Sequence, residues 1–235
     1  MLTGVGRRGK WLVLTLCEHD GAVAVFRDLV IHLGMSGRLE INTAVRKGAH
    51  VHAVWELETD AGTSWLSLTD PRRFGRAALV PHGEYSSLPG LATLGPDALD
   101  TEALVVVLRK ARVSHRPVKA VLLDQHCIAG VGNIYCDEAL FASGINPSRS
   151  MSTLTDEECA ALAAEVPRLL QLSIASGGTT LRDYRRLDGT SGGNSQNLLV
   201  YGRSGSPCPR CETMLSTSTV AQRATTWCPS CQPAA

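Results

Sequence analysis

Along the first eighty positions, apolar residues alternate with polar ones or gather in short β-branched runs. Trp11–Leu16, Ala22–His32, His50–Leu57 and Ser64–Thr69 read as strands punctuated by Gly and Asp. Asp70-Pro71 breaks the last of these, and Arg76–Val80 resumes a short strand. The pattern predicts one antiparallel sandwich or half a barrel. After Leu94-Gly95-Pro96 the period becomes helical. Helices are predicted over Glu102–Ala111, Val118–Asp124 and Asn133–Ser143, the last stopped by Gly144 and Pro147. Thr155-Asp156-Glu157-Glu158 is a capping-box signature, and the apolar face behind it runs to Ser176 before Gly177-Gly178 ends it. Pro167 is expected to kink or split that helix. Gly189–Ser195 reads as a Gly/Ser-rich loop. A β-rich half followed by a helical half is the α+β organisation that results.

Composition changes this picture little. Hydrophobic residues make up 44% and charged residues 19% of 235, which suits a globular chain rather than a disordered one. No apolar run approaches membrane-spanning length and no basic-then-apolar leader opens the chain, so a cytoplasmic location without membrane contact is expected. Cys17, Cys127, Cys136 and Cys159 are then reduced thiols. The net charge is only +1, yet Arg109, Lys110, Arg112, Arg116 and Lys119 fall in a stretch without an acid. Such a run serves either as a phosphate-binding patch or as a solvated helix face.

The tail carries the sharpest local signal. Cys208-Pro-Arg-Cys211 and Cys228-Pro-Ser-Cys231 form two Cys-x-x-Cys knuckles that present four thiolates to a single Zn²⁺. The alternative is two disulfides, which the absence of any secretory feature disfavours. A ribbon of this kind is structural: metal binding and folding of so short a segment are one event.

Between the second and third helices stands Gly130-Val131-Gly132-Asn133-Ile134-Tyr135. Glycines here allow close backbone approach, and the amides at the following helix start suit an anion such as phosphate. Together with Arg7-Arg8-Gly9-Lys10, His32 to Leu39, Asp70-Pro71-Arg72-Arg73-Phe74-Gly75, Gly177 to Asp183, Leu199 to Arg203 and the four cysteines, these residues resemble the formamidopyrimidine-DNA glycosylase and endonuclease VIII family, leaning to the formamidopyrimidine branch. The resemblance implies an N-terminal antiparallel β-sandwich over 1–95, a helix–two-turn–helix domain over 96–198 and a zinc finger over 199–235, with damaged duplex DNA held in the cleft between domains. It also implies a bacterial repair enzyme near the nucleoid, monomeric, with one structural zinc and no nucleotide cofactor. Its activity would be excision of oxidised purines with an associated abasic-site lyase step.

Residue by residue, Lys10 matches the lysine that reaches phosphate and sugar and assists elimination. Met35, Arg72 and Phe74 match the three residues that fill the void left by an extruded base. His50, Lys119 and Asn133 match backbone-phosphate contacts, Glu138 an acid at the following helix start, and Arg223 the finger-tip arginine credited with a role in elimination. Two departures stand out. Family members begin Pro-Glu several dozen residues before the Arg-Arg-Gly-Lys motif, whereas Met1-Leu2-Thr3-Gly4-Val5-Gly6 stands directly before it here. The sandwich is therefore expected to be incomplete, with exposed apolar edges, and excision impaired; a non-catalytic protein that binds damaged or abasic DNA is the alternative. The loop Thr190–Ser195 also lacks the aromatic residue common there, which puts lesion preference in doubt.

Overall fold

The computed structural model describes residues 1–21 and 23–234, so Ala22, the expected start of the second strand, lies outside the described residues. Its strands are β1 (Leu2–Arg8), β2 (Trp11–Asp20), β3 (Val23–His32), β4 (Arg38–Asn42), β5 (Val51–Thr59), β6 (Gly62–Thr69) and β7 (Arg76–Pro81). They form two antiparallel sheets, in the orders β1-β2-β3-β7 and β4-β6-β5. Ile31 of the first sheet packs with Leu39, Leu66 and Leu68 of the second, which makes the arrangement a sandwich rather than a barrel. The strands β1 and β4 escape the sequence reading. Both are sheet edges, and β1 is exposed along nearly its whole length, so neither needs an apolar alternation. The sandwich is also open at one flank, where a groove of about 990 Å³ is lined by Leu2, Leu16, Val25, Leu57 and Leu79.

The helices are α1 (Pro89–Ala92), α2 (Thr101–Ala111), α3 (Val118–Leu123), α4 (Asn133–Ala142) and α5 (Asp156–Ala175). The Asp100 side chain accepts from the Ala103 amide and caps α2. At α5 the capping box forms reciprocally: Glu158 N donates to Thr155 Oγ1, and Thr155 N donates to Glu158 Oε2. Of the kink or split expected at Pro167, the split does not occur, and α5 continues through it. One backbone hydrogen bond is forfeited there, but buried Cys159, Leu162, Ala163 and Val166 hold the helix against Leu104, Leu108, Leu122 and Leu140. No helix among the described residues is long and apolar enough to cross a membrane.

The chain falls into two compact units, one of residues 1–92 with 173–196, the other of 93–172 with 197–235. Segment 173–196 joins the strands because Ile41 N donates to Leu187 O at 3.0 Å, adding a backbone partner to the edge of β4. In the second unit a last antiparallel pair, β8 (Ser216–Val220) and β9 (Arg223–Trp227), forms a hairpin. Its two turn residues, Ala221 and Gln222, both have positive φ, the geometry of a tight primed turn.

Within the first unit, Asp28 is fully buried on β3 and accepts hydrogen bonds from Thr15 Oγ1, His82 Nδ1, the Gly83 amide and the Tyr85 hydroxyl. Burial by itself would raise its pKa, but these donors overcome it and lower the carboxyl from 3.8 to about 2. A depressed carboxylate stabilises the fold above its unfolded pKa, and that contribution is lost as pH falls through about 2. Asp28→Asn is expected to cost about 1–3 kcal/mol at neutral pH, by urea unfolding, because the donors lose a charged acceptor. The difference from the parent should shrink as pH is lowered from 4 toward 2; a loss independent of pH would contradict this account.

Candidate nucleic-acid interface and metal centre

The first sheet ends in a row of paired residues, Trp11, His32 and Arg76, in register across β2, β3 and β7. Three connections leave the sheet at this row. They are the β1–β2 turn Gly9-Lys10, the loop Leu33–Gly37 and the loop Pro71–Gly75. Strand register thus brings Lys10, Met35, Arg72 and Phe74 to one sheet end, although they are far apart in sequence. Trp11 anchors the turn by donating from Nε1 to Gly90 O at 3.1 Å. Gly9, with φ 55°, takes the first position of that turn. Burial lowers the His32 pKa, and the positive charges of Lys10 and Arg76 lower it further. Its Nδ1 accepts from the Gly34 amide at 3.1 Å.

Asp70 fastens the two longer loops together. Its carboxylate, 1% exposed, accepts from Ser36 Oγ at 2.6 Å, Gly75 N at 2.7 Å and Arg72 N at 3.3 Å. Burial opposes ionisation, yet these donors hold its pKa below the ordinary value. The fit is close. A Cβ on Gly34, at φ +65°, would lie 2.9 Å from the Phe74 carbonyl carbon, so only glycine serves there. The result is a braced pedestal under exposed tips: Met35 is 57% and Phe74 54% exposed, although residues of these types usually sit in a core. His50 lies at the same end of the second sheet, exposed, with its carbonyl accepting from the Asp70 amide at 2.9 Å.

In the second unit, α4 organises the site. Asn133 opens the helix after Gly132, which supplies no side-chain cap. Asn133 Nδ2 donates to Ala224 O at 2.9 Å, so the asparagine is fixed beside Arg223, the exposed first residue of β9. The Asn133 Oδ1 is buried and has no hydrogen-bond partner among the described residues. One turn further on, Asp137 accepts from the Thr226 amide, and its other oxygen meets Lys119 Nζ at 2.5 Å. Glu138, nearly buried, accepts from the amides of Leu199, Val200 and Tyr201. It is a cap, but of the segment leading to the hairpin rather than of its own helix. Arg210 stacks on the Phe141 ring at 4.3 Å and donates to the carbonyls of Phe141 and Ala142, closing the far end of α4.

Lys119 departs from expectation. Its side chain is fully buried, and Nζ meets Asp137, the Ala224 carbonyl and the Thr225 hydroxyl. An ammonium has three donors and all three are used inside the protein, so a direct phosphate contact is not available to it. The arginines of the basic run are also engaged: Arg109 and Arg112 face Asp156 at the start of α5, and Arg116 pairs with Asp124 at 2.9 Å. The missing signal was the acids, which are remote in sequence. Asp70, Ser36 and Asp137 carried no assigned role for the same reason.

The four knuckle cysteines bring their Sγ atoms within 4.8 Å of one another. Cys208 and Cys231 are 3.9 Å apart, Cys211 and Cys228 3.5 Å, and Cys211 and Cys231 3.5 Å. A tetrahedron of sulfurs about 2.3 Å from a central ion has edges of about 3.8 Å, whereas a disulfide requires about 2.05 Å. All four are free thiols, so the disulfide alternative falls and a metal-binding cluster remains. Sulfurs this close resist ionising together. The Thr213 hydroxyl and amide lower Cys211 to about 6, while desolvation and the neighbouring sulfurs push Cys231 up to about 12. A divalent cation supplies the charge that lets all four bind as thiolates. Gln232 locks the second knuckle: Oε1 accepts from Cys228 N and Nε2 donates to Ile145 O.

Comparison with known proteins agrees with this architecture. Residues 1–77 match the formamidopyrimidine-DNA glycosylase N-terminal domain, 94–185 its H2TH domain, and 205–234 the zinc finger found in FPG and IleRS. A formamidopyrimidine-DNA glycosylase of Gluconobacter oxydans is 46% identical over 235 residues, covering 96% of this chain and 80% of the relative. That of Thermus thermophilus is 42% identical, covering 97% and 81%. The crystal structure of the MutM (Fpg) protein from Thermus thermophilus has a TM-score of 0.85 at 40% identity, covering 100% of this chain and 84% of that one. A complex of Lactococcus lactis Fpg with abasic-site DNA gives 0.82 at 28%, covering 99% and 82%. The chain belongs to the formamidopyrimidine-DNA glycosylase family.

Removing one partner of a buried ion pair strands the other. Lys119→Met is expected to destabilise the second unit by about 3–5 kcal/mol at neutral pH. Adding Asp137→Asn should recover most of this, since an amide oxygen still accepts from Thr226 N. Urea unfolding of the two variants checks it, and an equally unstable double variant would refute the argument.

Proposed function

We propose that this chain recognises oxidised purines in duplex DNA and is built as a base-excising glycosylase with an associated abasic-site lyase step. The observation that carries the reading is the Asp70 pedestal, which presents Met35, Arg72 and Phe74 toward solvent beside the Lys10 turn. A base can be attacked at its glycosidic carbon only after leaving the stack, and the void must be filled. Met35 and Phe74 are the apolar wedges for that void, and the Arg72 guanidinium supplies donors to the orphaned base. Lys10, on the β1–β2 turn beside His32, faces phosphate and sugar and supports elimination. His50, Asn133 and Arg223 take the flanking phosphates, the asparagine being held by the carbonyl of Ala224, the residue after Arg223. The segments 1–95, 96–198 and 199–235 divide the labour as wedge, clamp and finger, with 173–196 packed beside the strands that carry the wedge. What is known of relatives fits: a Lactococcus lactis Fpg variant has been crystallised with DNA containing Fapy-dG.

The sulfur cluster is proposed to hold a single Zn²⁺ in a structural role, with Cys208, Cys211, Cys228 and Cys231 filling its tetrahedron and leaving no open position for chemistry. The hairpin and its Arg223 then depend on the metal. Elemental analysis should find about one zinc per chain, and Cys228→Ser should lose most of it together with duplex affinity. Full metal loss with undiminished binding would sink the finger's role.

The 235 residues contain no Pro-Glu pair. For this polypeptide we propose that grip outlasts excision, so that it behaves nearer to a damaged-DNA or abasic-site binder, acting as a monomer. Incubation with a duplex carrying 8-oxoguanine, followed by borohydride reduction, tests this. A gel shift with little covalent adduct is the expected result. Abundant adduct would mean a working amine nucleophile and overturn the impairment, while no shift at low salt would overturn DNA recognition itself.

A further inference from the structure

Arg72 has a second partner that the wedge role does not use. Its Nη2 lies 3.4 Å from Asp183 Oδ2, with the two side chains 50% and 45% exposed. Asp183 sits in the segment that follows α5, and this segment is not loose. Gly193 N donates to Ser176 O, Asn194 N to Gly178 O, and Leu187 O accepts from Ile41 N on β4. Thr180 Oγ1 donates to Tyr184 O and Gly192 N donates to Thr180 Oγ1, which closes the loop around Asp183. The other end of the pair is equally fixed, since Arg72 N is held by Asp70 Oδ1. Two anchored backbones thus present a guanidinium and a carboxylate to each other through solvent-exposed side chains.

We propose that Asp183 is a positioning residue that holds Arg72 off the duplex and must release it before the guanidinium reaches the orphaned base. This inference rests on the wedge role of Arg72. A carboxylate drawn toward DNA with its arginine would meet the phosphate field, so the pair has to part on insertion. An exposed ion pair is weak enough for that, and its strength sets a small threshold against insertion into undistorted DNA. Because Asp183 belongs to the 177–193 loop, insertion of the wedge also frees that loop from its tie to the Asp70 pedestal.

Affinity for a duplex containing a tetrahydrofuran abasic analogue, measured by fluorescence anisotropy, tests the inference through a double-mutant cycle. Asp183→Asn should tighten binding by about two- to fivefold, the size of a lost exposed ion pair. Asp183→Glu should restore the parent affinity. Arg72→Ala should weaken binding, and in that background Asp183→Asn should have no effect. Tightening that persists without Arg72 would be general charge relief and would overturn the latch. Unchanged affinity of Asp183→Asn, with Arg72→Ala still weak, would overturn the latch and leave the wedge role standing. Unchanged affinity of Arg72→Ala would remove the wedge role and the latch with it.

Discussion

A carboxylate taken out of water must find N–H or O–H donors, and this constraint shapes both units of the protein. Asp70, Asp137 and Glu138 are each nearly or fully buried, and each recruits donors from chain segments remote in sequence. Asp70 gathers Ser36, Arg72 and Gly75, which fixes two loops in one arrangement. Asp137 and Glu138, adjacent on α4, reach the Thr226 amide and the 199–201 amides. Without these donors the charges would be stranded, so the loops and the hairpin have little freedom to sit elsewhere.

The same logic separates positioning from contact. Lys119, the most basic-looking anchor of the glycine-rich segment, commits its charge to Asp137 and to two oxygens of the hairpin. The arginines of the neighbouring run commit theirs to Asp124 and Asp156. Side chains that remain at the surface, Met35, Phe74, His50 and Arg223, stand on or beside backbone that other groups hold. An exposed tip on an over-determined base keeps its reach without losing its aim.

The metal cluster follows a related rule. Sulfurs at 3.5–3.9 Å are too far apart for disulfides and close enough for one ion, so the knuckles are organised around a charge they do not themselves contain. Two short strands with a primed turn of Ala221 and Gln222 would be a poor structure alone; the four-sulfur cluster, Gln232 and Asp137 of α4 brace the finger around them.

Local order was legible in the sequence where it is governed by near neighbours. The Cys-x-x-Cys spacing, the capping box of Thr155 and Glu158, the helix periods after Pro96 and most strands are set by groups within a few residues, and they came out as read. The family motifs also singled out Met35 and Phe74, which the fold leaves exposed against the bias of their types. The edge strands β1 and β4 did not come through, because an edge needs no apolar alternation. The sequence also left open whether Pro167 kinks or splits α5; the helix runs on through it, maintained by packing on its apolar face. Above all, sequence alone could not say which charges are paired inside. Lys119 and Asp137 are eighteen positions apart, Ser36 and Asp70 thirty-four, and Arg72 and Asp183 more than a hundred. Electrostatic pairing depends on distance in space, and only the fold sets that distance.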